Sequence, residues 1–240
     1  MKKAYLFDID GTLTPPRQEI DQKFAAFFLR FAKNNIVYLT TGSDRPKAIE
    51  QLGGSIIDAC NGVFTCCGNQ FWEGEKLVYE REFYPHPSLI KFLNERVAGS
   101  KFHTRTGNHI EYRKGMINFS VVGRNATHEQ RALYESWDAE AGERKEIAAA
   151  ILTDERFSNL DVSIGGMISM DIYPAGRDKS QSVHTVRQLH GLPIVFMGDK
   201  ICPDGNDLPA AKALTGMSDE IYSVNDWRMT ELLIKRHPED

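Results

Sequence analysis

Tyr5-Leu6-Phe7-Asp8-Ile9-Asp10-Gly11-Thr12-Leu13-Thr14 is the stretch on which the fold turns. An apolar run delivers two carboxylates one residue apart, and Gly-Thr turns the chain straight afterwards. A parallel strand buried on both faces requires such a run. Charged residues at its C-terminal end fall where open α/β sheets bind ligands, outside the carboxyl edge. Two aspartates there are costly unless a cation or a phosphate chemistry uses them. A plain strand end with an Asp-Gly turn is the competing explanation, and the segments that follow argue against it.

Working outward, residues 4–80 alternate strands and helices. The run 5–7 is the first strand. Residues 21–33 carry Phe24, Phe27, Phe28 and Phe31 on one helical stripe and predict an amphipathic helix. Residues 36–40 read as a second buried strand ending in Thr41-Gly42-Ser43-Asp44. A short helix over 46–52 opens with proline in its first turn, and 56–59 and 62–65 read as further short strands. The middle differs. Residues 103–105, 109–112 and 116–122 are strand-like and closely spaced, helices are expected over 127–138 and 143–153, and strands over 160–164 and 167–173 close the region. That composition suits an inserted α+β unit. After Pro174-Ala175-Gly176 the alternation resumes with a helix over 180–190, a buried strand over 194–197, a helix after Asp207, a strand over 221–224 and a last helix from Asp226. The expected fold class is α/β, a parallel-sheet core of residues 1–80 and 179–240 with an inserted α+β cap, antiparallel in its sheet, over 81–178.

Four polar clusters sit at or just after strand ends. Asp8 and Asp10 come first. Thr41-Gly42-Ser43 offers hydroxyls and backbone N–H groups suited to a phosphoryl oxygen. Lys179 immediately precedes a helix start, where a cation opposes the helix dipole and calls for a nearby anion. Gly198-Asp199-Lys200 and Gly205-Asn206-Asp207 follow the strand at 194–197. Each is weak alone; in this order and at these positions they form one signal.

Composition bounds the rest. With 41% hydrophobic and 26% charged residues the chain is an ordinary soluble globular one. A net charge of −4 argues against a general nucleic-acid or anionic-membrane binder. Cys60, Cys66, Cys67 and Cys202 have neither zinc-like spacing nor a disulfide framework. No apolar run is long enough to span a bilayer, and Met1-Lys2-Lys3-Ala4 leaves no room for a signal peptide before the first strand. A cytoplasmic protein is the expectation.

The pattern D-x-D-G-T-L-T, followed by the other three clusters, resembles the motif set of the haloacid-dehalogenase (HAD) superfamily of phosphotransferases. The chemistry fits these residue types. A carboxylate that attacks phosphorus splits one hard step into two, and a hard cation must offset its repulsion from the phosphate oxygens. Mg²⁺ suits this, being commonly held by one or two carboxylates plus substrate phosphate. Asp8 is therefore expected to be nucleophile and Mg²⁺ ligand, with Asp10 as general acid/base whose backbone carbonyl also faces the metal. Lys179 would pair with Asp8 and the phosphoryl oxygens. The resemblance adds Asp199 as the third protein ligand and Asp207 as a direct or outer one. Thr41 and Ser43 would hold the phosphate.

The insert should set specificity. Thr127-His128-Glu129-Gln130 has the form of a capping box. Arg131 then falls in a first helical turn, where the dipole disfavours a cation and where arginine plus free N–H groups make an anion site. Arg113 and Arg124 flank a strand of the same sheet. Three arginines converging on one face would bind a phosphate bidentately.

At this level the chain resembles the eukaryotic-type phosphomannomutase family. The matching pieces are Asp8 through Arg17, Gly42-Ser43-Asp44, Gln51-Leu52-Gly53, Arg113 through Asn118, Gly123-Arg124, Arg131, Ser163 through Asp171, Asp178-Lys179, and Gly198-Asp199-Lys200 through Asp207. By that resemblance Arg17, Arg113, Arg124 and Arg131 would bind a hexose phosphate. The cap arginines would take the phosphate distal to the metal, and Ser169 and Asp171 would contact sugar hydroxyls. It further implies a homodimer joined through the cap, and a hexose 1,6-bisphosphate as intermediate and activator. The sequence departs from the family at Cys60, where glutamate is usual, and at Arg177, where tryptophan is usual. The segment after Asp207 is also shorter, which leaves a second cation site there open, as is the choice between mannose and glucose phosphates. A plain HAD sugar-phosphate phosphatase would use the same core without a distal clamp. An idle sugar-phosphate-binding protein would not need Asp8, Asp10, Lys179 and Asp199 together.

Overall fold

The computed structural model describes residues 2–236. In chain order its elements are β1 (Ala4–Asp8), α1 (Gln22–Asn34), β2 (Ile36–Thr40), α2 (Arg45–Leu52), α3 (Gly54–Ala59), β3 (Gly62–Thr65), β4 (Gln70–Glu73) and β5 (Lys76–Glu80). Then come α4 (Pro87–Gly99), β6 (Ile110–Arg113), β7 (Met116–Phe119), α5 (His128–Ala141), α6 (Glu143–Thr153), β8 (Leu160–Gly165) and β9 (Ser169–Pro174). The chain finishes with α7 (Ser180–His190), β10 (Ile194–Gly198), α8 (Leu208–Ala213), β11 (Glu220–Ser223) and α9 (Trp227–Ile234).

One sheet has the order β11-β10-β1-β2-β3-β4-β5. Its first five strands are parallel, and β4 and β5 continue it antiparallel. Side chains of β1 alternate between two apolar layers. Tyr5 and Phe7 pack with Phe24, Phe28 and Phe31 of α1. Ala4 and Leu6 pack with Val183 and Val186 of α7 and Ala210 of α8. Burial on both faces is why this strand is apolar without a break. Asp8 is its last residue, so the carboxylate pair leaves the sheet at the edge where β2 and β10 also end.

The second sheet is antiparallel, in the order β6-β7-β9-β8. In Met116-Ile117-Asn118-Phe119, Ile117 and Phe119 face Leu89 and Leu93 of α4, Tyr134 of α5, and Ile147 and Ile151 of α6. Strand alternation sends Asn118 to the opposite face. Register then builds a polar row across that face, with Glu111 opposite Asn118, Asn118 opposite Asp171 and Asp171 opposite Ser163. The two sheets meet where Met116 and Tyr173 pack on Cys66 and Cys67. Polar bonds also join them: the Ile164 N–H donates to the Asp204 carbonyl at 2.7 Å, and Arg113 Nη1 to the Gly42 carbonyl at 2.6 Å.

Three expectations need correction. The segment 56–59 is not a strand but lies within α3. A strand there, two residues before β3, would pair with it as an antiparallel hairpin, yet β3 runs parallel to β2 and so requires a crossover. The helix supplies it and buries Ile56 and Ile57 in the core. Residues 103–105 form no strand. Arg105 folds back instead, donating to the carbonyls of Val97, Ser100, Phe102 and Thr104 near the end of α4. The strand expected over 116–122 stops at Phe119. The helix α4 and the β4–β5 hairpin are additions.

Candidate active site

Asp8, Asp10, Arg17, Ser43, Arg113, Arg124, Arg131, Ser169, Asp171 and Asp199 all line one cleft of about 400 Å³ between the two sheets. Its floor is the carboxyl edge of the parallel sheet. Lys179 Nζ, almost fully buried at the start of α7, donates to Asp8 Oδ1 at 2.5 Å and to Asp207 Oδ1 at 2.7 Å. Asp207 Oδ2 accepts from the Lys200 N–H at 3.0 Å. Gly11, with φ +81°, permits this crowding, because a Cβ there would lie 2.5 Å from Asp199 Oδ2.

The electrostatics are those of a buried anionic centre. Burial pushes the Asp8 carboxyl well up, the Asp207 charge adds to this, and Lys179 opposes it. Burial and Asp207 together push Asp199 up to about 7. For Lys179, burial alone would lower the pKa, but Asp207 and Asp8 outweigh it and hold the ammonium firmly charged. One oxygen from each of Asp8, Asp199 and Asp207 lies within 4.8 Å of the others. The carboxylates of Asp8, Asp199, Asp207 and neighbouring Asp10, against the ammonium groups of Lys179 and of Lys200, which lies 3.8 Å from Asp199 Oδ2, leave a surplus of negative charge that a divalent cation would offset, and all-oxygen donors suit a hard ion. The residues thus fit Mg²⁺, whose use is general among HAD phosphotransferases.

Asp10 is held differently. Its Oδ1 accepts from the Arg17 N–H at 2.6 Å and from Gln51 Nε2 at 3.0 Å. Arg17 sits in the left-handed region, φ 60°, which aims its N–H back at Asp10. The Thr41 hydroxyl accepts from the Ser43 N–H at 3.0 Å. It shapes the turn, while Ser43 reaches the cleft lining.

The cap side carries the cations. Arg124 donates through Nη1 to Ser169 Oγ at 2.6 Å and through Nε to Glu111 Oε2 at 2.7 Å. Arg131 donates to the carbonyls of Ala126 and Arg124 at 2.9 and 2.7 Å. The capping box forms: Thr127 Oγ1 accepts from the Gln130 N–H and Gln130 Oε1 from the Thr127 N–H. Burial pushes Arg124 down to about 10, with the Arg113 charge adding to it, and burial also lowers Arg131. Guanidinium groups so crowded welcome an anion. Asp171 Oδ1 accepts from Asn118 Nδ2 at 2.6 Å. Sequence reasoning gave Gln51, Glu111 and Asn118 no role, although the spacing of Glu111 and Arg113 on one strand face was available as a signal.

A parallel sheet whose first strand ends in a paired-aspartate, lysine-bridged centre, beneath an inserted cap, defines a phosphotransferase of the HAD class. The solved structures agree on the fold. A haloacid-dehalogenase-like hydrolase from Bacteroides thetaiotaomicron matches with a TM-score of 0.61 at 17% identity, covering 98% of this chain and 99% of that one. The IMP-bound IMP-nucleotidase of Plasmodium falciparum matches at 0.65 and 14%, covering 98% and 67%. The family model for eukaryotic phosphomannomutase matches residues 24–234, and the chain belongs to that family. It is 35% identical over 228 residues to the phosphomannomutase of Dendrobium officinale, covering 92% of this chain and 89% of the relative. It is 34% identical over 210 residues to phosphomannomutase 1 of Homo sapiens, covering 84% and 80%.

Proposed function

We propose that the chain is a phosphomannomutase that interconverts mannose 1-phosphate and mannose 6-phosphate through a phosphorylated Asp8. One observation carries this beyond family membership: a single cleft holds Asp8, Asp10 and Asp199 on its floor, with Lys179 buried beneath and bonded to Asp8, and Arg17, Arg113, Arg124 and Arg131 around it. A mutase must hold a phosphate at each end of the sugar, whereas a phosphatase needs one such site. In the forward step a sugar hydroxyl attacks the phosphorus on Asp8. The Asp8 oxygen–phosphorus bond breaks as the new ester bond forms, and Asp10 takes the hydroxyl proton. The hexose 1,6-bisphosphate then presents its other phosphate, Asp8 attacks it, and Asp10 returns the proton to the leaving sugar oxygen. The same bisphosphate is the proposed activator that first loads Asp8.

Lys179 keeps Asp8 oriented and offsets its charge. Asp8 and Asp199, with Asp207 and Asp10 beside them, are the residues that would hold Mg²⁺, which when bound neutralises the phosphoryl oxygens. Ser43 would hold the transferring phosphate, beside the turn that Thr41 braces. Ser169 and Asp171 would meet sugar hydroxyls. The unit over 81–178 acts as the cap that excludes water from the phospho-aspartate. A homodimer through that cap belongs to the same proposal, supported by exposed Leu133 and Leu152 on its helices. So does a cytoplasmic location, supported by four unbridged cysteines. Among the described residues no helix is long and apolar enough to cross a membrane.

Arg124→Ala tests the distal clamp. Loss of its charge-assisted bonds should lower bisphosphate-dependent mutase kcat/KM by about 10- to 100-fold. Mg²⁺-dependent hydrolysis of p-nitrophenyl phosphate, which has no distal phosphate, should change little. Equal losses in both would contradict the clamp.

A further inference from the structure

Glu111 is the one acidic side chain recorded in ion pairs with the cap arginines of the cleft, among the described residues. Its carboxylate accepts from Arg113 twice, Nε to Oε1 and Nη2 to Oε2, both at 3.1 Å, and from Arg124 Nε at 2.7 Å. Both guanidinium groups are nearly buried, with side-chain exposures of 7% and 10%. Glu111 does not line the substrate cleft. It borders a separate groove together with Arg113. Arg113 uses its remaining contact across the molecule, donating through Nη1 to the carbonyl of Gly42, next to Ser43. A chain of bonds therefore runs from Ser169 through Arg124, Glu111 and Arg113 to the phosphate loop of the core.

Strand geometry explains why it is there. Glu111 and Arg113 are two residues apart on β6 and so share a face. Without an anion between them, Arg113 and Arg124 would repel each other, and each would lose the bond that fixes its plane. Burial alone would raise the Glu111 carboxyl, but Arg113 and Arg124 outweigh it and hold it below the usual carboxylate range. It therefore stays charged throughout the working pH range.

We propose that Glu111 is a positioning residue: it fixes Arg113 and Arg124 as one two-armed clamp and ties that clamp to the closed seat of the cap on Gly42. This rests on the mutase reading for the identity of the clamped group, a sugar phosphate. Two readouts separate the claims: turnover, and binding of mannose 1-phosphate in titration calorimetry. Glu111→Gln keeps size and removes the charge, while Glu111→Asp keeps the charge. We expect Glu111→Gln to weaken mannose 1-phosphate binding and to lower mutase kcat/KM by about tenfold or more. Hydrolysis of p-nitrophenyl phosphate, which has no distal phosphate for the clamp to hold, should fall clearly less than mutase turnover. Glu111→Asp should recover part of the loss. Unchanged binding in Glu111→Gln, or a matching fall in p-nitrophenyl phosphate hydrolysis, would overturn the proposal, the second pointing to a general structural role. If the unmodified protein hydrolyses mannose 1-phosphate without isomerising it, the mutase reading fails, and the calorimetric comparison still decides the role of Glu111.

Discussion

Asp171 is a residue whose proposed binding role comes at the expense of stability. It is fully buried, and burial raises its carboxyl above the usual range despite Arg113, Asn118 and Arg124. The sign follows from linkage. Because the folded-state pKa lies above the unfolded value, the favourable contribution is complete below the unfolded pKa, about 3.9 for aspartate. It is lost as pH rises through the folded value, so ionised Asp171 costs stability at neutral pH. Asp171→Asn keeps an oxygen for Asn118 and removes that cost. Thermal melts should show the variant more stable than the parent at pH 7.5, with the gap closing toward pH 4. Mannose 1-phosphate binding should weaken. A variant less stable at pH 7.5 would mean that the cap arginines fully compensate the buried charge. At this scale much of the candidate site was legible in sequence, because Asp8, Asp10, Lys179 and Asp199, which the fold brings together, belong to a linear motif order. Gln51 and Asn118 could not, since they matter through contacts made across elements: Gln51 from α2 to Asp10, and Asn118 through the β7–β9 register.

Among the elements, the turn after β2 is one place where core and cap touch closely. A Cβ on Gly42 would lie 2.9 Å from Asp171 Oδ2, and the Gly42 carbonyl accepts from Arg113. Gly42→Ala should therefore push the cap off its seat while leaving both apolar cores intact. An ångström-scale misplacement of this kind costs about 100-fold in rate. We expect a loss of that order in mutase kcat/KM with an unchanged far-ultraviolet circular dichroism spectrum. Near-normal turnover would show that Asp171 can move aside. Strands β1, β2 and β10 were legible because burial on both faces writes an unbroken apolar run. The helix α3 was not, because Ile56-Ile57 is equally apolar in a strand, and only the parallel pairing of β3 forces the crossover. α4 had a visible signal, Leu89, Phe92 and Leu93 behind Pro87, at helical spacing. The β4–β5 hairpin turns at Gly74-Glu75, between short strands whose side chains are partly exposed.

For the molecule as a whole, the division of labour follows from which face each sheet leaves uncovered. The parallel sheet is covered on both faces and offers only its carboxyl edge. The cap sheet is covered on one face by α4, α5 and α6, and turns its polar row, Glu111-Asn118-Asp171-Ser163, to the other side. On the proposed reading, the acidic centre at one sheet's edge and the arginines on the other would take the two phosphates of one sugar. The most direct test is ³¹P NMR of the protein with Mg²⁺, mannose 1-phosphate and catalytic glucose 1,6-bisphosphate, with Asp8→Asn as control. The expected result is conversion to mannose 6-phosphate that requires the bisphosphate and vanishes in the control. Accumulating inorganic phosphate without any 6-phosphate would contradict it.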